Sequence, residues 1–154
     1  MATTAKLNPR LKAQLERTPE IAVRAAAQAM EEGADEIVAF MKSLVPVRSG
    51  DLRDSIAWTW GDAPEGSLVI DEIRSGQNTG RQFATLRITF YVGEWYGRLV
   101  EFGTPPHAQP NRGTHHPGAT AQPFFYPAWR AMRAKFKRKI RAAVRRAIKE
   151  AIHA

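Results

Sequence analysis

The chain has 154 residues, 44% of them hydrophobic and 25% charged, with no cysteine and a formal net charge of +8. At this length a folded chain buries roughly 70% of the surface its unfolded form exposes, so one domain can form without disulfides or a structural metal; the missing cysteines exclude thiolate zinc sites and a cysteine nucleophile. The charge points to a polyanionic neighbour, yet it is local: residues 1–77 hold 9 basic and 12 acidic side chains, residues 78–154 hold 14 and 3, and ten of the basic ones fall between Arg130 and Lys149.

Residues 8–17 read as a short helix, with Asn8 as N-cap, Pro9 at the first helical position and Leu7, Leu11 and Leu15 spaced by four. Thr18-Pro19-Glu20 is a second start signal, and Val23, Ala26, Met30, Ala34, Ile37, Met41 and Leu44 then predict a long amphipathic helix over 20–44, stopped by Pro46. The period changes to two from Ser55, where Ile56, Trp58 and Trp60 share one side of a strand ended by Gly61 and Pro64. Residues 67–73 and 84–92 are two further strands, joined by a polar hairpin loop over 75–82. Three strands in succession favour an antiparallel meander with the long helix on one face, an α+β fold with a three- to four-stranded sheet.

Trp95, Leu99 and Phe102 at helical spacing predict a helix over 94–102, with Gly103 as a left-handed C-terminal cap. Residues 104–122 read as a long irregular loop with four prolines and three histidines. A last helix opens at Pro127 or Ala128 and runs to about 152. Trp129, Met132, Phe136, Ile140, Val144, Ala147 and Ile152 form its apolar stripe, and Arg and Lys fill the rest of its circumference. The first twenty residues have no apolar signal segment, and nowhere do eighteen apolar residues run together, so we expect a soluble protein made inside the cell and no membrane partner.

No catalytic constellation emerges. His107, His115 and His116 lie in a stretch without a carboxylate, and adjacent histidines on extended chain diverge, so neither a metal centre nor a histidine-type nuclease has its ligand set. There is no GxSxG elbow and no Gly-rich phosphate loop. We therefore expect no enzyme, no metal and no cofactor. The basic helix is the remaining feature: Arg130, Arg133, Lys135, Lys137, Arg138, Lys139, Arg141, Arg145, Arg146 and Lys149 are candidate contacts for DNA or a partner, with Glu150 the one acid among them. A solvated amphipathic face is the plain reading, and unscreened like charges are the argument for an anionic neighbour.

Two stretches carry a resemblance. Val45-Pro46-Val47-Arg48-Ser49-Gly50-Asp51-Leu52-Arg53-Asp54-Ser55-Ile56 is the first; the second is Trp95-Tyr96-Gly97-Arg98-Leu99-Val100-Glu101-Phe102-Gly103-Thr104, followed by Ala121-Gln122-Pro123-Phe124-Phe125-Tyr126-Pro127-Ala128. Together they resemble the pattern P-x-x-T-G-x-L-R-x-S-I, Y-A-x-x-V-E-F-G-T, A-Q-P-F-L-x-P-A of a head–tail joining family of tailed bacteriophages, a neck or tail-completion family similar to minor tail protein Z of lambda-like phages. Ser49 stands in place of the usual Thr, Phe125-Tyr126 in place of Leu-Arg, and the 104–122 link is longer than usual.

The resemblance implies a structural virion protein at the head–tail junction, made in the bacterial host cytoplasm. It would form a homo-oligomeric ring, six copies by analogy, around the DNA passage, with head-side stopper or adaptor and tail-tube or tail-terminator proteins as neighbours and packaged DNA contacted non-specifically. The alternative is a small sequence-independent nucleic-acid-binding protein. The chain divides into an N-terminal arm, 1–17, and one head–tail joining domain, 18–154. Within the motifs, Pro46, Gly50, Leu52, Arg53, Tyr96, Glu101, Phe102, Gly103, Thr104, Gln122, Pro123, Phe124 and Pro127 are the structural positions. Gly50 permits a helix-to-strand turn, Leu52 and Ile56 bury, and Tyr96, Phe102 and Phe124 are core or interface residues. Arg53 is the candidate partner for Glu101, whose charge near a helix C-terminus calls for one.

Overall fold

Residues Pro9–Leu44 form one helix, α1, in a computed structural model that describes residues 9–74 and 86–153. The restart expected at Thr18-Pro19 is absent: Pro19 lies inside the helix. A proline there removes one backbone bond, at a cost of ~3 kcal/mol, but good helix formers flank it on both sides (Ala13 to Arg17, Ala22 to Met30) and the helix continues. The expected N-cap at Asn8 and the 75–82 loop lie outside the described residues, as does the beginning of the strand expected from 84.

After α1 comes a single helical turn, α2 (Asp51–Asp54), entered through Gly50 at φ 99°, and then β1 (Ile56–Trp60), β2 (Leu68–Arg74) and β3 (Arg87–Val92). The sheet is antiparallel but not a meander, because β3 sits in the middle with β1 and β2 on either side. Ile88, Phe90 and Val92 on β3 are fully buried, and the most apolar strand takes the position with two neighbours. Since β1 and β2 each oppose β3, they run parallel to one another, and residues 61–67 must travel back along the sheet to join them. That return begins on the face away from the helices: Thr89 Oγ1–H donates to Gly61 O, and Arg87 reaches Asp62 at 2.6 Å.

A bulge between Val69 and Asp71 changes the parity of β2, so Leu68, Asp71 and Ile73 all pair with helix-facing residues of β3. The chain continues through α3 (Gly97–Phe102), a small hairpin β4 (His107–Gln109) and β5 (Thr114–His116), and α4 (Phe125–His153). The hairpin corrects the expectation of an irregular 104–122 loop, and α4 begins two residues before Pro127, which falls in its first turn, where a missing N–H costs nothing.

One face of the sheet carries both long helices. Met30, Ala34, Ile37, Met41 and Val45 from the α1 side meet Ile56, Ile73, Ile88, Phe90 and Val92 from the sheet and Phe125, Ala128, Trp129 and Phe136 from α4. Three indoles tie the layers: Trp58 and Trp60 Nε1–H donate to Asp35 and Glu31 of α1 at 2.8 and 3.1 Å, and Trp129 Nε1–H donates to Asp71 of β2 at 2.7 Å. The helices run antiparallel, with Lys139 bridging Glu32 and Glu36 and Lys135 reaching Glu36.

Candidate functional site

The carboxylate of Glu101, 3% exposed at the end of α3, accepts hydrogen bonds from three consecutive backbone N–H groups: Phe124 at 2.8 Å, Phe125 at 2.9 Å and Tyr126 at 3.1 Å. These are donors that the start of α4 leaves without intrahelical partners, so Glu101 caps that helix from a distant point in the chain and sets an anion at the positive end of its dipole. Gln122 N–H donates to Val100 O beside it at 2.8 Å. The expected pair with Arg53 does not form; Arg53 is exposed and bonds its neighbour Asp54 at 3.0 Å. The physical reason is that backbone donors at a helix start satisfy a buried carboxylate without burying a second charge.

Gly103 ends α3 at φ 72°, ψ −179°, a region open to glycine alone and different from the left-handed cap expected. A Cβ there would meet Ala119 O at 2.6 Å and Ala121 N at 2.7 Å. A Cβ on Gly118, also at positive φ, would likewise run into Thr104 O, and Thr104 and Ala119 exchange two backbone bonds. The β4–β5 hairpin is thus an excursion pinched off at its base by two glycines, and the two halves of the second motif meet across it.

The first motif closes against the same place. Pro46 to Gly50, Leu52 and Arg53 form one wall of a groove of about 460 Å³, and Tyr96, Leu99, Val100, Ala119, Thr120 and Gln122 form the other. Leu52 is buried under it, and Gly97 must be a glycine because a Cβ would press on Val92 and Leu52. The Tyr96 phenol is pushed up from its ordinary pKa, chiefly by burial and then by the charges of Glu94 and Asp51. Around the groove stand exposed apolar side chains: Trp95 (75%), Val47 (60%), Phe102 (56%) and Leu99 (40%). Phe102, expected in the core or an interface, is out of the core, its ring tilted 45° to that of Tyr126 with centroids 5.7 Å apart, while Phe124 is fully buried. Pro123 is exposed and leads into that anchor. The sequence placed Trp95 and Leu99 on one side of a helix and within the second motif without assigning them to a surface; their helical spacing with Phe102 was the signal, and what it did not display is that the core has no place for them.

On α4, Lys135 and Lys139 are held by Glu32 and Glu36, and these contacts lower the Glu36 pKa and raise that of Lys139. Arg130, Arg133, Lys137, Arg138, Arg141, Arg145, Arg146 and Lys149 are exposed and have no acidic partner among the described residues. On the hairpin His107 and His116 stack with ring centroids 5.0 Å apart, and His116 Nδ1 accepts from Gly118 N–H. Among the described residues no three His, Asp or Glu side chains gather into a set that could hold a metal ion, and no helix is long and apolar enough to cross a membrane.

The comparison with protein families matches residues 9–103 to a family described as "Bacteriophage HK97-gp10, putative tail-component". That stretch runs from α1 to the end of α3 and contains Glu101, one wall of the groove and half of the other. No curated protein and no solved structure matches the chain. With more than half its length matched, the chain belongs to the HK97-gp10-like family of bacteriophage tail components.

Proposed function

We propose that this protein is a non-enzymatic subunit of the phage neck or tail-completion ring, joining head to tail around the DNA passage. Membership in a tail-component family implies other phage structural proteins as neighbours and the virion as its place. The observation that carries the finer reading is the exposed row Trp95, Leu99 and Phe102 with Val47 beside the motif groove, because aromatic and aliphatic side chains clustered in the open mark a contact surface rather than a reaction centre. Head-to-tail contacts through such a surface, repeated until they close, make a ring from one kind of chain. Residues 18–154 act as one joining domain in this reading, with the N-terminal segment as an arm toward a neighbour. The head-side stopper or adaptor and the tail-tube or terminator protein are its other partners.

The test is assembly. Purified protein should form closed rings by negative-stain microscopy, and Trp95→Glu should leave folded monomers that fail to restore infectious particles in a phage lacking the gene. Rings formed equally well by Trp95→Glu would remove this surface from the interface. The eight uncompensated cations of α4 favour a second reading, a sequence-independent nucleic-acid-binding protein acting as a monomer. Tight DNA binding without any ring would decide for it.

A further inference from the structure

We propose that the outward face of α4 is a contact for the phosphate backbone of double-stranded DNA. Turning 100° per residue, α4 places Arg130, Lys137, Arg138, Arg141, Arg145 and Lys149 in one sector roughly 120° wide, opposite the Trp129 and Phe136 side that packs on the sheet; from first to last they span about 29 Å. All six are exposed. Like charges this dense repel one another, which favours an anionic neighbour over bare solvent.

A second copy of this chain has little to offer them. Among the described carboxylates, Glu20, Glu31, Glu32, Asp35, Glu36, Asp51, Asp54, Asp62, Asp71, Glu72 and Glu101 are already engaged within the chain. Glu65, Glu94 and Glu150 have no such partner, and Glu150 is on α4 itself. An acidic protein is disfavoured by what lies between the cations: the exposed residues other than Arg and Lys from Arg130 to Lys149 are Ala131, Ala134 and Ala142, and the exposed Ile152 lies beyond the last cation, which leaves no apolar anchor at the centre of the face. A membrane surface is disfavoured because the apolar stripe of α4 is already used against the core.

Duplex DNA fits each point. It carries one charge per about 1.7 Å of axis, so a 29 Å face lies along roughly seventeen phosphates, and four of the six cations are arginines, whose planar fork bonds phosphate oxygens in pairs. The face has no aromatic ring on which an unpaired base could stack and no Asn or Gln to read a base edge, so binding is to duplex backbone and indifferent to sequence. The inference rests on the head–tail junction reading only for the source of the DNA.

The experiment titrates the full chain into a labelled random-sequence 30-bp duplex by fluorescence anisotropy at several salt concentrations. With four to six phosphates neutralised, the log–log slope is about −4 to −5, a loss of several hundred-fold to a thousand-fold in affinity from 50 to 200 mM salt. The combined variant Lys137→Gln, Arg141→Gln, Arg145→Gln and Lys149→Gln should reduce the slope by about 3 to 4, whereas Lys135→Gln, a side chain held by Glu36, leaves it within one unit. An unchanged slope in the fourfold variant overturns the proposal. So does tenfold tighter binding to a single strand, or displacement by poly-glutamate as effective as by unlabelled duplex at equal charge. Rings that assemble and leave duplex unbound overturn this inference alone; duplex binding lost in the fourfold variant, by a chain that never forms rings, upholds it and removes the junction reading.

Discussion

Glu101 and Phe124 are joined carboxylate to backbone N–H at 2.8 Å, across an excursion that includes an entire hairpin. The bond and its two neighbours fix where α4 starts, and thereby where Phe124 and Phe125 enter the core. Replacing Glu101 by Ala leaves these N–H groups without acceptors and should cost about 3–5 kcal/mol; Gln, which retains one acceptor oxygen, should cost about 1–2 kcal/mol. Urea unfolding of both variants checks this. A loss below about 1 kcal/mol in the Ala variant contradicts the capping role.

Gly103→Ala tests the pinch at the hairpin base. The substitution sets a Cβ against Ala119 O and Ala121 N in a backbone region that other residues avoid. We expect a loss of about 2–4 kcal/mol from strain and displaced backbone, measured as a fall in thermal midpoint. Gly113→Ala, in open space at the hairpin tip and also at positive φ, should cost only about 1 kcal/mol, which separates crowding from conformation.

Gly33 makes a prediction against helix propensity. Alanine is preferred to glycine inside a helix by about 1 kcal/mol, but a Cβ at Gly33 runs into the ring of Phe136 where α4 crosses α1. Gly33→Ala should therefore destabilise, by about 1–3 kcal/mol, because a well-packed ring must move. Restoration of stability by adding Phe136→Leu would identify the crowding as the cause.

The elements were legible where one periodicity governs a segment: the long first helix, β1, β3 and the basic last helix all follow their apolar spacing. Strand order was not, since the run of Leu68 to Ile73 does not alternate cleanly, and only the bulge after Val69 reconciles it with β3. Pro19 marks a helix start in any local reading, and the helix formers around it overrode the signal. For the site, the motif residues were legible but their partners were not. Glu101 could be seen to need a partner, and local charge suggested Arg53; the answer was backbone N–H groups more than twenty residues later, which sequence does not display.

The Glu36 contacts give a pH dependence with a definite sign. Hydrogen bonds and charge from Lys139 and Lys135 hold the folded-state pKa of Glu36 below its ordinary 4.5, so the contribution is fully present above pH 4.5 and is lost as pH falls through the lowered value. Lys139 is raised above 10.5 by Glu36 and Glu32, so its contribution is complete below pH 10.5 and fades only as pH rises through the raised value. The difference in thermal midpoint between wild type and Glu36→Gln should be constant from pH 6 to 9 and shrink below pH 4.5. A difference that grows in acid reverses the sign and rejects the pairing.

Trp95 and Phe102 separate folding from assembly. Both are largely exposed in the single chain, at 75% and 56%, and neither belongs to the core that holds the sheet to its helices. Substituting Trp95 by Glu should thus shift stability by no more than about 0.5 kcal/mol, as surface changes do. In an oligomer the same residue would be a buried aromatic anchor, and introducing a charge there should weaken association at least 100-fold, the equivalent of about 2.7 kcal/mol. Sedimentation velocity on wild type and variant across a concentration series reads association, and urea unfolding of the same two proteins reads stability. An unchanged oligomer distribution with unchanged stability leaves Trp95 a solvent-facing residue and moves the contact surface elsewhere on the molecule.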